Sequence, residues 1–259
     1  MRSLRTKMMM IMVLLILALM TVVGSFLING VGNYYIEEFY VQMEQTFSQD
    51  FIAQLQELAA LPVDGPAEMK QLLTQVKPTL LCIHGNHEVR PSTLPSYQTK
   101  EWNGGTVWVE ETYPRLLFAA DGEIFHLEGL CHLVIGGAYS VDKFYRLDRG
   151  YGWWPDEQPS QEIKEKVIRT LDACGWQVDT VLSHTCPYRY EPREAFLPMI
   201  DQSTVDASTE EWLEEIERKL QYNHWFCGHW HINKRIDRMH FLFHSVEAAP
   251  QLLSGDSIR

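Results

Sequence analysis

The chain has 259 residues, 46% of them hydrophobic and 22% charged, enough for one substantial core outside any membrane segment. Thirty-four acidic residues against 22 basic ones give a formal net charge of −12. That balance excludes a broad nucleic-acid surface, which needs clustered Lys and Arg, and leaves a small or protein-borne substrate.

Residues 8–28 form an uncharged, mostly aliphatic run long enough to cross a hydrocarbon core. The segment predicts a single-pass membrane anchor. A cleaved signal peptide is the competing reading, but 23–26 imitates a small-x-small cleavage site poorly. Arg2, Arg5 and Lys7 precede the run and Glu37 and Glu38 follow it, so the positive-inside rule puts the N-terminus in the cytoplasm and the rest of the chain outside. Residues 29–60, with aromatics near the membrane surface, read as an amphipathic stalk helix. Span and stalk together resemble the membrane-entry segment of a bacterial sensor histidine kinase, without a diagnostic motif; an ordinary anchor and stalk is the other reading. The expected domains are therefore 1–31 (basic start and membrane helix), 32–65 (stalk) and 66–259 (the globular part). Asp64 lies in Val63-Asp64-Gly65, first of all a turn signal, with Pro62 arguing against a central strand before it.

After residue 66, helix and strand signals alternate, which predicts an α/β architecture. Apolar strand-like runs at 79–83, 180–182 and 225–227 each lead into a motif with metal-ligand chemistry: Gly85-Asn86-His87-Glu88, His184 in Leu182-Ser183-His184-Thr185, and Gly228-His229-Trp230-His231. Ligands at strand ends in an α/β chain converge on one crevice. Between them, 123–126 and 130–135 read as a hairpin. A helix is expected over 161–174, capped by Ser160, with Ile163, Val167 and Leu171 on one face and Gly175 as its stop. A second helix is expected over 209–220, with Ser208 and Glu211 in capping-box spacing. Residues 241–246 read as a last strand. The aromatic pair in Trp153-Trp154-Pro155-Asp156-Glu157 lines a cleft or caps the core, packing being the commoner role of such a pair.

Standing alone, Asn86-His87 would be a capped turn, His184 a core histidine, and His229 and His231 two residues on one strand face. In this order, each after an apolar run, they resemble the calcineurin-like metallophosphoesterases, whose motifs run D-x-H, G-D-x-x-D, G-N-H-[DE], H and G-H-x-H. The resemblance covers about residues 72–248, and Gly136-Gly137-Ala138-Tyr139-Ser140-Val141-Asp142-Lys143 with the Trp153-Trp154 loop are similar to one bacterial branch. It implies a β-sandwich flanked by helices, here lacking its first βαβ unit, and hydrolysis of phosphate esters. It implies that Asn86, His184 and His229 serve one metal, that His231 serves the other, and that His87 protonates the leaving oxygen. The mixed N/O donors suit Mn, Fe or Zn.

No histidine precedes His84, so D-x-H is absent, and no G-D-x-x-D stands in the front part of the chain. Two close divalent cations repel with four times the unit-charge energy unless a bridging carboxylate intervenes. The family's two metals therefore reduce here to at most one weakly held ion, unless Asp64 completes the site. Two functions follow: a metal-dependent phosphoesterase with impaired turnover, or a non-catalytic, membrane-tethered metal- or phosphate-binding sensory module. The remaining histidines, His84, His126, His132, His224, His240 and His244, are expected to be structural. Cys82, Cys131, Cys174, Cys186 and Cys227 show no disulfide spacing and suit a reducing compartment, which conflicts with an external domain. A cytosolic-type domain joined to a foreign membrane segment would reconcile the two, and would leave an unpaired strand edge prone to aggregation. The sequence assigns no oligomeric state.

Overall fold

The computed structural model describes residues 79–196 and 200–247. The apolar run 8–28, the stalk and Asp64 lie outside the described residues. Among the described residues no helix is long and apolar enough to cross a membrane.

Two sheets face each other. The first has the order β1-β4-β3-β2, from β1 (Leu80–Cys82), β2 (Tyr97–Trp102), β3 (Gly105–Glu110) and β4 (Leu116–Ala119). β1 runs parallel to β4, with Leu80 opposite Leu116, and the other pairs are antiparallel. Among the described residues β1 pairs with β4 alone. The second sheet has the order β5-β6-β7-β8-β10-β9, from β5 (Ile124–Leu127), β6 (Leu130–Ile135), β7 (Thr180–Ser183), β8 (His224–Cys227), β9 (Lys234–Ile236) and β10 (Met239–Phe241). Its four inner strands are parallel, and β5 and β9 close the edges antiparallel. Helices α1 (Lys143–Arg149) and α2 (Gln161–Ala173) lie on the crossover from β6 to β7, and α3 (Ser208–Glu217) lies on that from β7 to β8.

Strand side chains alternate between faces, so each inner strand feeds two cores. Leu133, Ile135, Val181, Trp225, Met239 and Phe241 point to the helix side, where Val167 and Leu171 of α2 and Leu213 and Ile216 of α3 cover them. Val134, with Phe125 and Leu182, points the other way and meets Val107, Val109, Leu117 and Ala119 of the first sheet. Each fully buried aliphatic residue here contributes roughly 1.5–3 kcal/mol. The α/β sandwich expected from sequence is present over the described residues.

The hairpin β5–β6 turns on Glu128 and Gly129, both at positive φ, and β2–β3 turns on Asn103 and Gly104 in the same way, the two-residue geometry that suits strand twist. Ser160 caps α2 as expected, its Oγ accepting from Ile163 N at 3.3 Å.

Two boundaries differ from the sequence expectation. α3 begins at Ser208, without a side-chain cap from Ser208 or Ala207, because the Asp206 carboxylate takes the Ser208 N–H at 3.0 Å while the Ser208 hydroxyl turns to Gln158. Leu220 is buried just beyond the helix end. The expected strand over 241–246 stops at Phe241, because the N–H groups of Phe243 and His244 both donate to Asn233 Oδ1, at 2.8 and 3.1 Å, instead of to a neighbouring strand.

Candidate metal centre

The site lies where the parallel strands end. His184 follows β7 directly, and its N–H extends the parallel ladder to Ile135 O at 3.0 Å. Gly228 N donates to His184 O at 3.1 Å, which brings the loop after β8 against the loop after β7. On that loop His229 and His231 both take left-handed backbone, φ 62° and 53°. Such conformations cost on the order of 1–3 kcal/mol in a non-glycine residue and persist where surrounding contacts enforce them. Trp230 between them stacks on Phe196 with ring centres 5.7 Å apart, and His231 stacks on Phe243 at 4.7 Å.

The Asn86-His87 loop is held from below. Gly85 N donates to Glu88 Oε1 at 2.5 Å, and Gly137 N donates to His84 O at 2.8 Å. Arg90, two residues past Glu88, forms an ion pair with Asp121 at 2.5 Å and donates Nε to Asp156 O at 2.7 Å. Asp121 in turn accepts from Gly136 N at 2.6 Å. One buried pair thus ties the loop after β1 to the turn after β4 and to the Trp153-Trp154 loop.

Asn86 is buried; its Nδ2 donates to Ser140 Oγ at 3.0 Å, so its Oδ1 faces His184 Nε2 at 2.9 Å. The rings of His184 and His229 are 5.0 Å apart. Burial holds His184 down to about 4, with the charges of His87 and His231 adding, and holds His229 down to about 3, with His184, His231 and His87 adding. Both imidazoles are therefore neutral donors at ordinary pH, the form that ligates metal. His87 is half exposed. Its Nδ1 meets Arg146 NH2 at 2.9 Å and its Nε2 meets Asp142 Oδ1 at 3.2 Å. Because guanidinium only donates, Nδ1 is the acceptor and the proton sits on Nε2.

All five residues singled out in the sequence, Asn86, His87, His184, His229 and His231, line one cavity of about 680 Å³. Asp142, Glu191 and Glu210 share that wall and were not foreseen. Glu210 accepts from Thr185 Oγ1 at 2.8 Å, beside His184, and burial raises its carboxyl to about 7, with Glu191 and Asp206 adding. Burial also raises Glu191 to about 7. Trp153 and Trp154 are half-buried and do not line the cavity; Trp153 Nε1 donates to Glu157 at 2.8 Å, which is the packing role.

Among the described residues no group of three or more His, Cys, Asp or Glu side chains is gathered as a metal cluster. The donor chemistry is that of two neutral imidazoles and one amide oxygen. His184 Nε2 and Asn86 Oδ1 are hydrogen-bonded at 2.9 Å, so these two potential donor atoms are adjacent. This set offers the donors for one cation. All five cysteines are free thiols, Cys186 and Cys227 fully buried.

A family model described as calcineurin-like phosphoesterase matches residues 44–233, most of the chain, beginning inside the segment read from sequence as the stalk. Comparison with curated proteins and with solved structures gives no significant match.

Proposed function

The chain belongs to the calcineurin-like phosphoesterases, and we propose that its site hydrolyses phosphate esters with one divalent cation and a turnover limited by the missing front motifs. The observation that carries this reading is the convergence of Asn86, His184 and His229 at the ends of parallel strands, with His87 on the same wall.

Phosphate esters resist attack because their anionic oxygens repel a nucleophile and the departing alkoxide is poor. A bound divalent cation neutralises that charge and lowers the pKa of a bound water. Asn86 Oδ1 and the neutral imidazoles of His184 and His229 would hold it, with His231 as the donor next in reach. Mn²⁺, Fe²⁺ and Zn²⁺ match this N/O set. His87 carries its proton on Nε2 and is the group available to protonate the leaving oxygen once it turns from Asp142. The cavity admits a small-molecule ester or the phosphorylated side chain of a protein. The apolar run 8–28 supports a membrane tether for this activity.

A second reading, a membrane-tethered metal- or phosphate-binding module without turnover, is favoured by one observation. Both ring nitrogens of His87 are engaged, with Arg146 and Asp142, leaving no N–H directed at a leaving group.

The test is Mn²⁺-dependent hydrolysis of an aryl phosphate monoester and diester by the purified full chain, with His229→Ala as control. Activity that disappears in the control supports the hydrolase. Equal rates in both proteins would overturn it and leave the binding module.

A further inference from the structure

The cavity wall has a charge problem that its metal ligands do not solve. Among the described residues it carries Glu88, Asp142, Glu191, Asp206 and Glu210 and neither Lys nor Arg. A phosphate dianion entering this wall meets like charge, and His184 and His229 offer no compensating one. The cation bonded to two wall residues is Arg146. Its Nε donates to Asp142 Oδ2 at 2.8 Å, its NH2 to His87 Nδ1 at 2.9 Å and its NH1 to Gly152 O at 3.1 Å. Three of its five N–H groups are engaged in these bonds, which leaves one on NH1 and one on NH2 for a ligand. Guanidinium N–H groups match phosphate oxygens.

Among the described residues, the helix that carries Arg146 leaves its apolar side chains uncovered. α1 buries none of its residues. Phe144 is 69% exposed and Leu147 51% exposed, while the Arg146 side chain is only 21% exposed. A surface helix normally turns its apolar stripe inward and its charges out. Here polar ties decide the orientation: Asp142 and His87 hold Arg146, and Lys143 rests 4.2 Å over the Trp153 ring. The arrangement keeps a permanent cation beside His87 at the expense of apolar exposure.

We propose that Arg146 anchors the phosphoryl oxygens of the ligand, alongside His87, and that Asp142 is the positioning residue that aims the guanidinium. The inference rests on the phosphate-ester reading above and names the residue that recognises the anion.

The experiment is titration of the full chain with inorganic phosphate, followed by calorimetry and ³¹P NMR, with and without Mn²⁺. Wild type is compared with Arg146→Ala, Arg146→Lys and, on the same helix, Arg149→Ala. Loss of a charge-assisted bond should weaken phosphate binding about ten- to hundredfold in Arg146→Ala. Arg146→Lys should recover part of the affinity and Arg149→Ala should bind as wild type does, and thermal midpoints measured on the same proteins separate lost binding from lost fold. Unchanged affinity in Arg146→Ala, an equal loss in Arg149→Ala, or no phosphate binding by wild type would each overturn the assignment. Aryl phosphate turnover by the same proteins separates the two claims. Turnover with Arg146-independent phosphate binding removes the anchor and keeps the hydrolase; Arg146-dependent binding without turnover does the reverse.

Discussion

Replacing Asp121 by Ala should destabilise the chain by about 3–5 kcal/mol, the range for removing one partner of a buried ion pair. The Asp121 side chain is 4% exposed and that of Arg90 is 11% exposed, with 2.5 Å between them. The substitution leaves the guanidinium with Asp156 O as its remaining acceptor and takes the acceptor from Gly136 N. The two losses share one site, so they do not add, and the figure for the pair is the one to use. Urea unfolding of the full chain, followed by tryptophan fluorescence, measures it. The double variant Arg90→Leu/Asp121→Leu should recover part of the loss, because it leaves no uncompensated buried charge while Gly136 N still lacks its acceptor. A loss below about 1 kcal/mol in Asp121→Ala would refute the reasoning, since surface pairs behave that way and buried ones do not.

Glu210→Gln should stabilise the protein at pH 8 and not at pH 5. Burial raises the folded-state carboxyl to about 7, so its favourable contribution is complete below the unfolded value near 4.5 and is lost as pH rises through 7. Thermal midpoints at the two pH values check this, and an equal gap at both would refute it. Gly136→Ala should cost about 1–3 kcal/mol by overpacking, because an added Cβ would lie 2.8 Å from both Cβ and O of His84 and 2.9 Å from Asp121 Oδ1. Wild-type stability in denaturant would count against the tight approach of β1 and β6 ends.

The candidate site residues were legible because their chemistry is local. Asn86 and His87 are adjacent, His229 and His231 are two apart, and each motif follows an apolar strand. What supports them was not legible. Ser140 meets Asn86 across 54 positions, Arg146 meets His87 across 59, and Arg90 meets Asp121 across 31. No periodicity links such pairs, and only the sheet order brings them together. The hairpin β2–β3 is a different kind of miss, because Asn103-Gly104 is a strong turn signal and Gly105, Val107 and Val109 alternate inward. The ends of α3 and β10 were misread because two side chains, Asp206 and Asn233, capture backbone N–H groups that propensity assigns elsewhere.

On the proposed reading, the charges of the site favour anion binding over turnover. Carboxylate ligands cancel much of a cation's charge before substrate arrives. Asn86, His184 and His229 are neutral, so a cation held by them keeps its full charge for the phosphate, though it is held less tightly. The same neutrality does nothing to offset the fourfold repulsion that a close second cation would meet. On the proposed reading one cation would supply water activation and His87, whose Nε2 meets Asp142 Oδ1 at 3.2 Å, the leaving-group proton. The proposed Arg146 anchor would add attraction for the anion and nothing to either of those steps. Phosphate affinity and ester hydrolysis would thus be separable properties of this wall: a bound cation and Arg146 would favour the anion against the wall's carboxylates, and neither supplies a proton.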